Sequence, residues 1–206
     1  MPISSFPTRL SRHVLAAAAL AISLSGCATS TANLSSAPAG AYRDTIDLAG
    51  SLSVSYQKQD GQRDHLTGRY TWTQRPGRID VSLNSPVSTV AEISVTPGSA
   101  TLTQANRPPQ SARDIDALTQ QALGWSLPVA GLRDWLQGYA TDAQGKRFAA
   151  SPANNNVFTR DGWRLRFVDW QAGANGAPMP KTINADRSAS ATSGELSLRI
   201  SISPES

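Results

Sequence analysis

From about residue 48 the chain alternates between apolar and polar positions with a period of two, the pattern of strands that bury one face. Leu48, Gly50, Leu52, Val54 and Tyr56 fall on one side, with Ser51, Ser53 and Ser55 on the other. Asp60-Gly61 signals a turn. Leu66, Gly68, Tyr70 and Trp72 then alternate with Thr67, Arg69, Thr71 and Thr73. After Pro76-Gly77 come Ile79, Val81 and Leu83 on one face, then Ala91, Ile93 and Val95 beyond a short loop. Pro97-Gly98 turns the chain again into Ala100 and Leu102. Short strands joined by Gly-containing turns predict an antiparallel meander.

The period changes near residue 111. Ser111 and Asp114 resemble a capping box with Asp in place of Glu. Ile115, Leu118, Ala122 and Leu123 follow at helical spacing, and Gly124 sits where a helix would end. A second short helix is expected from Pro128 to Leu136, with Leu132, Trp135 and Leu136 on one side and Gly138 as its stop. Strand signals return at 157–160. Asp161-Gly162 then leads into Trp163, Leu165 and Phe167, alternating with Arg164 and Arg166. A Gly-, Ala- and Pro-rich loop is expected over 172–180, and Leu196, Leu198, Ile200 and Ile202 close the chain as a last strand.

These elements predict a mainly β domain: one long, curved antiparallel sheet with a helical insert laid on its apolar face. Its interior is either filled by side chains or left partly open for a ligand; periodicity alone does not choose between them.

The first 26 residues are expected to be removed. Arg9, Arg12 and His13 precede the apolar run VLAAAALAISL, which ends in Leu24-Ser25-Gly26-Cys27. The run has the length of a signal-peptide core and falls short of the roughly 20 residues of a membrane-spanning helix. Its end resembles a lipobox, which predicts a lipid-modified Cys27. Cys27 is the single cysteine, so no disulfide framework exists. Residues 27–41 then read as a lipidated flexible tether, small, polar and proline-containing. Residues 42–206 form the single folded domain. Ala28 and Thr29 follow the cysteine, with no acidic residue that would favour inner-membrane retention, so the expected location is the periplasmic face of the outer membrane.

Charge adds little. The chain carries +4, and losing Arg9 and Arg12 with the leader leaves +2. That small imbalance, without a clustered basic face, argues against a nucleic-acid partner. No catalytic constellation is visible. His65 lies opposite the apolar side of its strand and is the only histidine left after cleavage, too few for a zinc site. There is no nucleophile elbow and no phosphate-binding loop, while Glu92 and Glu195 lie on distant strands. No metal, cofactor or enzymatic activity is expected.

Several stretches resemble the LolB family of outer-membrane lipoproteins. They are Asn84-Ser85-Pro86-Val87-Ser88-Thr89 followed by Glu92 to Gly98; Gly124-Trp125-Ser126-Leu127-Pro128-Val129 followed by Leu132 to Gly138; Asp161-Gly162-Trp163-Arg164-Leu165; and Pro178-Met179-Pro180 ahead of the last strand. Their order and spacing match along most of the chain. The resemblance implies an incomplete antiparallel β-barrel with a helical lid over an apolar cavity. It also implies a receptor that takes lipoproteins from the soluble periplasmic carrier LolA and inserts them into the outer membrane. Leu52, Val54, Tyr70, Trp72, Ile79, Val81, Ile93 and Val95 would line the cavity from the sheet. Ile115, Leu118, Trp125, Leu132, Trp135 and Leu136 would line it from the lid. Pro86 and Val87 would form the loop that places cargo in the membrane, a position where the family usually carries leucine. The partners implied are a LolA-like carrier, the acyl chains of cargo lipoproteins and outer-membrane lipid, with the chain acting as a monomer. The same residues also suit plain core packing. A structural or assembly lipoprotein, or a carrier of free lipid, therefore remains an alternative.

Overall fold

The structure, a computed structural model, describes residues 37–58, 60–85, 89–173, 176–190 and 194–204. Cys27, Pro86 and Val87, together with the leader, lie outside these residues.

Six strands come first: β1 (Ile46–Gln57), β2 (Arg63–Arg75), β3 (Arg78–Asn84), β4 (Thr89–Thr96), β5 (Ser99–Thr103) and β6 (Gln110–Ala112). Helices α1 (Ile115–Leu123) and α2 (Val129–Trp135) follow, then a small hairpin of β7 (Tyr139–Thr141) and β8 (Arg147–Ala149). The chain ends in β9 (Asn156–Phe158), β10 (Trp163–Ala172), β11 (Pro178–Arg187) and β12 (Leu196–Ile202). Ten strands form one antiparallel sheet in the order β6-β5-β4-β3-β2-β1-β12-β11-β10-β9. Every neighbour is also a sequence neighbour except β1 and β12, which join the two halves from Gly50↔Ile202 to Tyr56↔Leu196. The edge strands β6 and β9 do not pair with each other among the described residues, so the barrel is open.

The alternation read from the sequence sets the register. Leu48, Leu52 and Val54 of β1 are buried, as are Tyr70 and Trp72 of β2, Val81 and Leu83 of β3, and Leu198 and Ile200 of β12. These side chains share one core with Leu118, Trp125, Leu127, Leu132, Trp135 and Leu136 from the helical insert. The sheet thus wraps its apolar face around the helices, and the outward serines and threonines of β1 and β2 meet water.

Three expectations are corrected. Ser111 does not cap α1. Its segment is drawn into β6 against β5, with the Ser111 and Thr101 hydroxyls 3.0 Å apart. Asp114 is the cap instead, its carboxylate accepting from the Asp116 and Ala117 amides at 2.9 and 3.4 Å.

The loop expected over 172–180 ends early, because Pro178 already opens β11, a strand the periodicity does not announce. Pro178 and Pro180 are tolerated because β12 pairs with β11 only from Thr182 onward, leaving the prolines a partner on one side alone. A bulge near Asp169 on β10 adjusts the register there.

The end of the expected tether is also fixed rather than loose. The Ala39 amide donates to the Ala150 carbonyl at 2.8 Å and the Gly40 amide to Pro178 at 2.8 Å. Gln137 brackets Arg43, accepting from its amide at 2.8 Å and donating to its carbonyl at 3.0 Å.

The β1–β12 seam depends on Gly50. A Cβ there would lie 1.9 Å from the Ser201 carbonyl oxygen and 2.9 Å from the Tyr70 ring. Gly50→Ala should therefore lower stability by about 1–3 kcal/mol in urea unfolding. The outward Ser53→Ala should change it by no more than about 0.5 kcal/mol. Equal midpoints for the two variants would contradict the seam.

Candidate functional site

The helical insert defines what the concave face can hold. Asp114 starts α1, and Gly124 ends it in the left-handed region with φ 84°, its amide bonding Gln120. Thr119, fully buried, donates to the Ile115 carbonyl at 3.0 Å and accepts from the Leu127 amide at 2.9 Å. That hydroxyl ties α1 to the segment leading into α2. The two helices are held unequally. On α1 only Leu118 and Thr119 are buried. The shorter α2 buries Val129, Leu132 and Trp135, and the Trp135 ring meets Trp163 edge-on at 5.4 Å.

Between sheet and helices lies a slot lined by Leu52, Tyr70, Trp72, Val81, Leu83, Leu127, Leu132, Leu136 and Ile200. It has a volume of about 20 Å³, no more than a methyl group or a single water would fill. The concave face is therefore nearly closed by the protein's own side chains.

Leu52 and Leu83 also line a larger cleft of about 210 Å³ at the end of the sheet where β3 passes into β4. Its walls are Leu66, Gly68 and Val90 from the strands and Ala122, Leu123 and Trp125 from the end of the helix. Asn84 and Thr89, hydrogen-bonded at 2.9 Å, close the base of the loop that holds Pro86 and Val87. Apolar cleft and loop base thus adjoin.

A third cleft of about 540 Å³, at the opposite end of the sheet, is lined by Ile79, Val95, Ile115 and Val129 with Arg75, Arg78, Arg133 and Arg147. Its arginines are engaged. Arg75 holds Asp47 through two hydrogen bonds, Arg78 holds Asp80 likewise, and Arg133 lies 3.6 Å from Asp44. The Arg147 guanidinium stacks on the Tyr42 and Tyr139 rings.

The residues expected to line a cavity divide among these spaces. Leu52 and Trp125 border the 210 Å³ cleft; Leu52, Tyr70, Trp72, Val81, Leu132 and Leu136 border the slot. Ile79, Val95 and Ile115 face the far cleft, while Val54, Ile93, Leu118 and Trp135 are core residues that border none of the three. Leu66, Val90 and Leu127 also border these spaces, although the sequence reading did not place them in the cavity lining. Leu66 and Val90 had a usable signal: Leu66 lies on the apolar side of β2, and Val90 is an apolar residue at the start of β4 next to the loop. Leu127 had none, since it sits in a non-periodic link.

Two polar atoms stand out in this apolar setting. The Tyr70 hydroxyl is buried without a hydrogen-bond partner, and burial pushes its ionisation far above the usual phenol range. An orphaned hydroxyl of this kind costs about 1–3 kcal/mol. On α1, Asp116 has a buried Oδ1 without a partner. Burial raises its pKa to about 6, Asp114 adding in the same direction and Arg187 opposing.

An open antiparallel β half-barrel with two short helices against its mainly apolar concave face defines the structural class of the chain. Within that class the chain belongs to the LolB family: the model of "Outer membrane lipoprotein LolB" matches residues 44–203. Curated relatives carry the same name. The one from Cupriavidus taiwanensis is 35% identical over 162 residues, covering 76% of this chain and 78% of the relative. The one from Cupriavidus pinatubonensis is 33% identical over 211 residues, covering 100% and 99%. A solved structure of a LolA superfamily protein from Nitrosomonas europaea superposes with a TM-score of 0.44 at 10% identity, covering 76% of this chain and 84% of that one. The chain is thus an outer-membrane lipoprotein of the Lol system.

The raised pKa of Asp116 has a signed consequence. The folded state binds the proton more tightly than the unfolded chain, whose carboxyl keeps its ordinary value of 3.8. The group's stabilising contribution is present below about pH 4 and is lost as pH rises through about 6. Asp116→Asn should therefore raise Tm above the parent's at pH 7, with the gap closing as pH falls toward 4. A variant less stable at pH 7 than the parent would show that the carboxylate is paired.

Proposed function

We propose that this protein receives lipoproteins from a LolA-like periplasmic carrier, holds their acyl chains between sheet and helices, and passes them to the outer membrane. In this reading residues 1–26 are a signal peptide, Cys27 carries the lipid anchor, and the following residues tether the domain to the bilayer. The observation that carries it is the continuity of apolar lining, through Leu52 and Leu83, from the slot to the cleft beside the β3–β4 loop.

The physical need is plain. Acyl chains exposed to water are unfavourable by about 0.8 kcal/mol per methylene. A carrier must hide them and a receptor must offer a better apolar refuge. With no nucleotide site expected, transfer runs downhill from carrier to receptor to bilayer.

A slot of about 20 Å³ is far smaller than the roughly 300–1,000 Å³ of ordinary ligand cavities, so acceptance requires the insert to move. Helix α1, whose Ala122 and Leu123 wall the cleft that leads to the slot, is the element to move: only its Leu118 and Thr119 are buried, whereas α2 is anchored through three buried side chains and supplies Leu132 to the slot itself. Displacing α1 replaces the contacts that its Leu118 makes with the core by contacts between that core and hydrocarbon, so the net change in buried apolar area is small. The near-filled interior also favours a second reading, a tethered structural lipoprotein with an ordinary core.

The two readings separate in a transfer assay. A labelled lipoprotein loaded on a LolA-like carrier should move to this protein without nucleotide; failure to leave the carrier would favour the structural reading. Val87→Glu should leave acceptance close to the parent's and slow release into liposomes several-fold. Unchanged release would remove the β3–β4 loop from the mechanism.

A further inference from the structure

We propose that the outer face of the sheet, at the end that carries the β3–β4 loop, binds the phosphates of anionic phospholipid headgroups through Arg166 and Arg199. The inference deepens the delivery reading and rests on it for one point, that the loop end is the end that meets the bilayer.

The register brings together residues that lie far apart in the chain. Arg166 of β10 stands opposite Asn184 of β11, Asn184 opposite Arg199 of β12, Arg199 opposite Ser53 of β1, and Ser53 opposite Thr67 of β2. The next outward row runs Arg164, Asp186, Ser197, Ser55 and His65. Their strand neighbours Leu165, Ala185, Leu198 and Val54 are buried, so both rows face away from the core. Asn84, the last residue of β3, stands opposite Arg69, and Thr67 and His65 lie beyond it toward the start of β2. Both rows therefore sit at the end of the sheet where β3 gives way to β4.

The rows enclose an open basin of about 480 Å³ with Arg166, Arg199, Asn184, Ser53, Ser55 and Ser197 among its walls. Among the described residues its single acid is Asp186, which is already held by the Ser197 hydroxyl and by Arg164 at 3.9 Å. Glu195, the next outward residue of that end, is held by Arg63 at 2.6 Å. Arg166 and Arg199 have no carboxylate partner among the described residues; Arg199 meets the Asn184 side-chain oxygen at 3.5 Å. The two arginines stand two strands apart, about 10 Å at the backbone, with a short side chain between them. Their guanidinium groups can close on one phosphate from both sides, the geometry in which arginine donates bidentately. Apolar side chains flank the basin. Phe158, 58% exposed, stands opposite Arg164 on β9, and Val168, 38% exposed, follows Arg166 by two residues on β10. Phenylalanine and other large apolar residues beside basic ones are the composition of surfaces that lie at the boundary of headgroups and acyl chains. An outward-facing basin on a protein anchored in the outer membrane has that surface within reach.

The test uses the lipid-anchored protein in vesicles of phosphatidylcholine alone, or of equal parts phosphatidylcholine and phosphatidylglycerol. A fluorophore on Ser51→Cys, beside the basin on the outer face of β1, reports its distance from a quencher attached to lipid headgroups. Quenching should be severalfold stronger in the mixed vesicles. It should fall back to the phosphatidylcholine level at high salt and in an Arg166→Gln, Arg199→Gln double variant. Both side chains are exposed, so the variant's Tm should equal the parent's. Quenching that is equal in the two vesicles, or unchanged in the double variant, would overturn the headgroup site. A double variant that keeps its quenching but no longer takes lipoprotein from the carrier would assign the arginines to an acidic protein partner and overturn it too. A parent chain that takes no lipoprotein, yet shows the lipid-dependent quenching, would overturn the delivery function rather than the headgroup site.

Discussion

The fold rests on covering one apolar face. A ten-stranded antiparallel sheet that alternates cleanly presents a continuous hydrocarbon surface on one side, and here the strands bend around an insert with only two short helices. Trp72, Phe167, Ile93, Leu165, Ile183 and Ile200 are fully buried on that side. Closure into a barrel would remove the free edges. Instead the edges β6 and β9 stay apart and the insert lies against the concave face. A sheet completed by helices rather than by itself keeps a part that can be exchanged. The same hydrophobic burial that stabilises the resting state can be satisfied by any apolar object of suitable shape.

Much of this was legible in the sequence, and the reasons differ by element. β1, β2, β3 and β12 follow from strict alternation because each has one wet face and one buried face. The two helices follow from their spacing and from Gly124 and Pro128. β11 was hidden: two prolines, Lys181 and Asn184 disguise a strand whose Thr182, Ile183 and Ala185 are buried. The start of α1 was misplaced because Ser111 and Asp114 are both good caps, and only pairing with β5 decides between them. The candidate site was legible as a set of apolar residues but not as a space. Core and cavity lining use the same side chains, and whether Ile93 or Leu52 borders an opening depends on packing that periodicity does not encode.

Two polar exceptions interrupt the apolar packing: Oδ1 of Asp116 on α1 and the Tyr70 hydroxyl are buried without a hydrogen-bond partner, and each is unfavourable there. By contrast, the far cleft is stitched by ion pairs and by Arg147 stacked on two tyrosines. The segment from Ala39 to Arg43 is likewise pinned, by hydrogen bonds to Ala150, Pro178 and Gln137.

In the proposed function, α1 lifts to admit an acyl chain. Spin labels at the exposed Gln121 of α1 and Ser51 of β1, in a chain with Cys27 replaced by serine, report that motion by electron–electron resonance. Adding a diacylated lipopeptide should lengthen and broaden the distance between the labels. A distance distribution unchanged by a lipopeptide that demonstrably binds would place the chains elsewhere and show that α1 does not lift.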